Sequence, residues 1–275
     1  MTSEARHVLK TGGFTLGVAL LGCALARPAA AQWPQPEGGG QVILQMGPYW
    51  ADTDGYDSRG NRLPGRGSVT RLDISPYWEH GLTQRWTVGL APRLQATWMD
   101  QGSGRSSGFG MADTSAFARY TIHRGDWNVL AVQGTVITPG VGGRHNTYIA
   151  EPHPSFEARV LYGHSFELPR GMTAFTSLAA GYRFRPGSAA DEVRGDVTLG
   201  FRPVPDWMVM AQYFGTIGMR NNGPGGPDYA IHRAQFSIVH DINARHSIQL
   251  GYMREVAGRR VALGQAVLAA WWYRY

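Results

Sequence analysis

The chain has 275 residues, 43% hydrophobic and 17% charged, with a formal net charge of +6 at pH 7. Its single cysteine rules out an internal disulfide, and no stretch supplies the roughly 20 apolar residues that a membrane-spanning helix requires. Thirty-seven glycines, nine tryptophans and twelve tyrosines suit instead an all-β protein with many turns.

The first element in chain order reads as an export signal. Arg6, His7 and Lys10 precede the apolar run from Gly12 to Ala26, and Ala29-Ala30-Ala31 supplies the small residues of a cleavage site. A signal peptide over 1–31, cleaved near Ala31, would leave a periplasmic segment at 32–40 and a barrel over 41–275. Leu21-Gly22-Cys23 offers a competing lipobox, in which Cys23 is acylated. Removing 1–31 takes away Glu4, Arg6, Lys10 and Arg27, which lowers the net charge from +6 to +4. The exported chain then has no cysteine, so thiolate nucleophiles and thiolate metal sites are excluded. It has no lysine either. Every basic residue is an arginine, permanently charged and able to grip a carboxylate with two bonds.

From residue 41 onward, apolar and polar residues alternate in segments of about ten, the period-two signature of strands with one apolar and one charged face. In Val69–Trp78, Leu72, Ile74, Pro76 and Trp78 share one face, and Arg71, Asp73 and Ser75 the other. About twelve strands are expected, at 41–53, 68–80, 86–99, 111–123, 127–138, 154–166, 172–185, 192–203, 207–218, 231–242, 246–256 and 265–275. Tight connections such as Arg124-Gly125-Asp126 and Val204-Pro205-Asp206 alternate with longer Gly- and Asp-rich ones at 54–67, 139–153 and 219–230. Short periplasmic turns, longer external loops and an even strand number predict a transmembrane antiparallel β-barrel in a bacterial outer membrane. Trp86, Trp127 and Trp207 each open a strand after a tight turn, where an interfacial aromatic girdle belongs. A water-soluble β-sandwich is the alternative, and it lacks a reason for the strict alternation of loop lengths.

The last strand sets the phase. With Val267, Ala269, Trp271, Tyr273 and Tyr275 facing lipid, Leu90, Val160, Leu199, Phe236 and Leu250 also point out. Arg71, Asp73, Arg93, Asp113, Arg119, Glu157, Arg159, Arg183, Arg194, Asp196, Arg233 and Asp241 then point in, as expected pore-lining residues. The same phase places Gln95, Gln133, Arg202, Gln212, Gln235, Gln249, Glu255 and Arg274 inside. A mid-membrane arginine facing lipid costs about 2–4 kcal/mol, which favours this assignment. Trp271, Tyr273 and Tyr275 also form the alternating aromatic end that the barrel-assembly machinery would read, although such signals usually end in Phe or Trp.

Few motifs point to chemistry. His153-Pro154-Ser155 has the His-x-Ser letters of outer-membrane phospholipase, but Phe156 follows where that family has Asn-Gly, and the pair shares the inward phase of Glu157. Asp52-Thr53-Asp54-Gly55-Tyr56-Asp57 resembles the start of a calcium loop, yet Leu63 stands where the closing acid belongs, leaving calcium binding open. Gly140-Val141-Gly142-Gly143 lacks the Lys-Ser/Thr of a phosphate loop, and the nine histidines show no metal spacing. The positive charge is dispersed, so nucleic acid is not an expected partner. No cofactor is expected.

Tyr77-Trp78-Glu79-His80-Gly81-Leu82-Thr83, Ser107–Asp113, Leu161–Ser165, Gly181–Arg185 and Val256–Arg260, leading to Trp272-Tyr273-Arg274-Tyr275, resemble the outer-membrane proteins of the meta-pathway of phenol degradation. The resemblance runs over most of 68–275, with Met111-Ala112 interposed before Asp113 as a departure. It implies a barrel with a transport-like role for hydrophobic or aromatic compounds, and carries no catalytic residues across. The leading expectation is therefore a non-enzymatic channel for passive diffusion of a small aromatic, hydrophobic or anionic solute, with outer-membrane lipid and the assembly machinery as partners. A plugged structural or surface-interaction barrel is the second reading, with Trp33–Gly40 folded inward as one possible plug. A barrel-embedded lipid hydrolase is the third.

Overall fold

The computed structural model describes residues 33–63, 67–100, 104–142, 153–187, 189–219 and 229–275. The export signal over 1–31 lies outside them. The strands are β1 (Gly40–Tyr56), β2 (Arg62–Leu63), β3 (Ser68–Gly81), β4 (Trp86–Asp100), β5 (Arg105–Arg124), β6 (Asn128–Gly142) and β7 (Ser155–Glu167). They continue with β8 (Thr173–Phe184), β9 (Glu192–Val204), β10 (Trp207–Gly218), β11 (Ala230–Asp241), β12 (His246–Arg259) and β13 (Ala262–Arg274). The two-residue β2 pairs only with the end of β1, and the other twelve form one antiparallel sheet in chain order. Pairing of β13 with β1, from Gln41–Arg274 to Gly55–Ala262, closes it into a barrel. Closure leaves no unpaired edge, the condition for a sheet to sit in hydrocarbon. The expected all-β, twelve-stranded barrel is the observed fold.

Expected strand limits hold to within a few residues except at β5, which starts at Arg105 rather than 111. The Ser106–Gly110 stretch carries little apolar signal, but it is held by partners on β4, from Asp100–Arg105 to Gln95–Gly110. Cross-strand pairing there overrides local propensity. The short turns are fixed by side chains that accept backbone hydrogen bonds. Thr83 Oγ1 takes those of Arg85 and Trp86, and Asn243 Oδ1 those of Arg245 and His246.

The two faces differ as a membrane barrel requires. Leu90, Val160, Leu199, Phe236, Ile238, Leu250 and Trp271 are exposed on the outer face. Near the short turns aromatic rings pair across strands: Trp86 with Tyr120 at 5.0 Å, Trp207 with His240 at 4.4 Å and His80 with Tyr275 at 6.0 Å between centroids. The inner face includes an apolar cluster of Phe175, Met208, Met210 and Val239, with Trp272 against it. Phe175 lies flat over Gly200, its direct partner on β9, where no Cβ would fit. Aromatic cover of a strand glycine lets the wall curve while keeping its inner surface filled.

Candidate solute pathway

All twelve charged positions expected to line the lumen occupy the inward register of their strands, together with Glu79, Glu192, Arg202, Glu255 and Arg274. They are held in several different ways. On β7–β9 the charges interlock. Glu157 receives Arg159 at 2.5 Å and Arg194 at 3.0 Å, and Arg159 reaches on to Asp196 at 2.6 Å. Glu192 gathers Arg185 at 3.1 Å, Arg183 at 3.9 Å and Arg194 at 4.0 Å, and also accepts the Tyr229 hydroxyl. Each buried acid is thus shared between guanidiniums, which lowers the cost of desolvating all of them.

On β3–β5 the charges stand in single pairs. Arg71 meets Asp73 at 2.8 Å, and Arg93 grips Asp113 with two bonds, of 3.0 and 3.1 Å. A β-bulge aims Asp113. Leu94 pairs with Met111 and Arg93 with Asp113, so Ala112 is the additional residue, fully buried. The bulge keeps Met111 outward while turning Asp113 inward. The Met111-Ala112 departure noted in the sequence is therefore the device that forms the Arg93–Asp113 pair.

Toward the end with the longer loops, Glu255 accepts the Tyr49 hydroxyl at 3.2 Å and Gly264 N at 2.8 Å and pairs with Arg233 at 3.3 Å. At the end with the short turns Asp241 is held by Arg202 at 2.6 Å and Arg274 at 3.5 Å. There too Glu79, buried, accepts Gln35 Nε2 at 2.5 Å, Gln41 Nε2 at 2.7 Å and the Tyr77 hydroxyl at 2.7 Å, with Arg119 3.5 Å away. Gln35 belongs to the segment before β1, and that segment enters the mouth of the barrel. Gly38 N donates to Gly81 O, Pro34 is buried, and a Cβ built on Gly163, an inward position of β7, would lie 3.6 Å from Trp33 Nε1.

Accessibility separates filler from passage. Glu157, Glu255 and Arg119 side chains are 5% exposed, whereas Arg93, Arg233 and Arg194 keep 37%, 35% and 32% within the closed wall. Sequence phase passed over Glu79 and Glu192, although they continue the alternation of Asp73 and Arg194. Arg185 was missed because it lies just beyond β8. An inward fold of Trp33–Gly40 belongs to the plugged-barrel reading, and the structure brings Gln35 of that segment to Glu79.

The other motifs acquire plain roles. Ser155 Oγ accepts Arg183 Nε at 2.9 Å, and among the described residues no hydrogen bond joins it to His153. Asp57 caps its own external loop, accepting Arg59 N and Asn61 N at 2.8 Å and Asn61 Nδ2 at 3.0 Å. The Asn61 side chain, then its backbone amide, hold the Asp57 carboxyl below its ordinary range. The side chains of Asp52, Thr53 and Asp54 lie outside the described residues, and among the described ones no metal-binding group of acids and histidines occurs.

The barrel is similar to an outer-membrane channel from Pseudomonas putida F1, with TM-score 0.68 at 11% identity over 89% of this chain and 98% of that one. It is also similar to the NanC porin, with TM-score 0.52 at 9% identity over 85% and 100%. The translocator domain of the autotransporter NalP from Neisseria meningitidis aligns with TM-score 0.50 at 10% identity over 88% and 91%. At these identities the likeness is one of fold, and it defines the chain as an outer-membrane-type β-barrel. No family model matches the chain, and no curated protein matches it.

Proposed function

We propose that the protein is a non-enzymatic outer-membrane channel for passive diffusion of a small solute, anionic or aromatic in character. The observation that carries this reading is the accessibility of Arg93, Arg194 and Arg233 on the inner face, each a guanidinium paired on one side and open on another. A guanidinium offers both a permanent charge to an anion and a flat face to an aromatic ring. The resemblance to the meta-pathway proteins points to the same solute class and rests on the quoted segments alone.

Purified protein in a planar bilayer should give discrete conductance steps with anion preference, and replacing Arg93, Arg194 and Arg233 by Gln should reduce that preference. Silent membranes under conditions where a known porin conducts would overturn the reading. They would favour a plugged barrel, for which the segment around Trp33 and the Phe175–Met208 cluster are the supporting observations.

Outer-membrane location follows from the same reading, with cleavage near Ala31 and assembly through Trp271, Tyr273 and Tyr275. Tyr275 also clasps the closing seam: its backbone exchanges two 3.0 Å hydrogen bonds with Gly40, and its hydroxyl receives Trp78 Nε1 at 2.9 Å. Deleting Tyr275 should lower the membrane-inserted fraction measured by protease resistance in cells. Unchanged insertion would remove its role as an assembly signal.

A further inference from the structure

The outward face of the barrel has a gap in its apolar cover. Across β7–β11 the register aligns Val160, Ala180, Gly195, Gly215 and His232 as one row of neighbours. The three central residues have almost no side chain, and they floor a slot of about 500 Å³. Leu178 and Val197 bank it toward the periplasm, Val193 and Ile217 toward the outside. A Cβ built on Gly195 would meet nothing nearer than 3.9 Å, so no neighbouring side chain covers the floor. With strands about 4.8 Å apart, a row of five is roughly 19 Å long, and each bank stands about 6.7 Å from the floor row. Those proportions suit a single alkyl chain.

One end of the slot is polar. Tyr213 folds back over Gly215, and its hydroxyl meets His232 Nδ1 at 2.5 Å. Beyond His232, β12 presents Arg254 outward and exposed, in register with Ala234, the next outward residue after His232. Among the described residues Arg254 has no ion-pair partner. An outward arginine is tolerated near the rim of the apolar band, where lipid phosphates lie. Gly215 is eight residues from Trp207 of the periplasmic girdle, which at the usual rise and tilt is about 20 Å, close to the external rim of a band about 25 Å tall.

We propose that this slot binds one phosphate-bearing lipid of the external leaflet, with an alkyl chain along Ala180, Gly195 and Gly215 and the phosphate between His232 and Arg254. A resident lipid is the occupant because the slot opens on hydrocarbon, where lipid chains are the most concentrated species and mass action fills the site. The site is on the outer wall and is independent of whether the lumen conducts.

The test titrates myristoyl lysophosphatidic acid into the detergent-solubilised barrel and reads bound equivalents by native mass spectrometry, with monomyristoylglycerol as the phosphate-free probe. Wild type should take one equivalent of the phosphate probe. Gly195→Phe, which fills the slot, should weaken it about tenfold, and Arg254→Gln should do the same for the phosphate probe alone, as loss of one charged hydrogen bond implies. Ala180→Phe fills the same slot from the neighbouring strand and replaces Gly195→Phe if that barrel fails to fold. Equal binding by wild type and a folded filled variant would overturn the site. Loss on filling, with no effect of Arg254→Gln and equal affinity for both probes, would overturn the phosphate assignment. Unchanged bilayer conductance in the filled variant would separate this site from the channel reading.

Discussion

Two parts of the wall hold their charges in opposite ways. On β7–β9 Glu157 and Glu192 are divided among two and three guanidiniums, and Glu157, Arg159 and Arg183 are largely removed from solvent. On β3–β5 Arg71, Arg93 and Arg119 have one acid each, and the Arg93–Asp113 pair stays open on its lumen side. Both are strands of one sheet, built with the same alternation and the same residue types. The difference lies in how many partners the register brings within reach, which decides how far each acid is enclosed: Glu157 is 5% exposed and Asp113 21%. The interlocked wall encloses Glu157 and Glu192, with Arg194 keeping an open side, and the paired wall leaves both Arg93 and Asp113 accessible.

The largest effect should come from breaking the interlocked side. Glu157→Gln leaves Arg159 and Arg194 sharing less negative charge in a buried place and should cost about 3 kcal/mol. Asp113→Asn, at the exposed pair, should cost no more than about 1 kcal/mol. Urea unfolding, followed by loss of the compact gel-shifted form, measures both, and equal costs would erase the distinction. An intermediate effect concerns the mouth. Removing residues 33–39 frees Glu79 of Gln35 and should raise single-channel conductance severalfold while leaving the unfolding midpoint nearly unchanged. No change in conductance would mean that the segment does not narrow the path.

The smallest effect sharpens the comparison at the external loop after β1. Asp57 has a lowered carboxyl pKa, so its contribution to loop order is complete above the ordinary carboxylate range and is lost as pH falls through the lowered value. Limited proteolysis of that loop should therefore accelerate only in strong acid for the native chain. For Asp57→Ala it should be faster already at neutral pH. A native rate rising near the ordinary carboxylate range would contradict the cap.

Period-two alternation and the short turns made the barrel legible, because both follow from local chemistry. Leu72, Ile74 and Trp78 need lipid or a core on one side, and Arg71 and Asp73 cannot share it. Phase from Tyr275 carried that reading around the sheet to positions such as Arg159 and Asp196. Their distances were not legible, since the 2.6 Å between those two depends on which residues the register sets side by side on neighbouring strands. Nor could the alternation alone show that the chain before β1 turns back into the mouth, a course set by Gln35 finding Glu79. The slot beside Gly195 was hidden for the same reason, because Ala180, Gly195 and Gly215 become neighbours only once the strands are registered.

The bulge at Ala112 gives β5 something like a reading frame. A strand is read in steps of two, and Ala112 is a single-letter insertion that shifts everything on its external side by one face. The bulge absorbs that shift, so deleting Ala112 would restore unbroken alternation, with Asp113 still inward opposite Arg93 and Met111 still outward opposite Leu94. Ala112 is thus the one letter that β5 can lose without changing its reading, whereas loss of a regularly paired residue such as Ala116 would exchange the two faces of everything on one side of it.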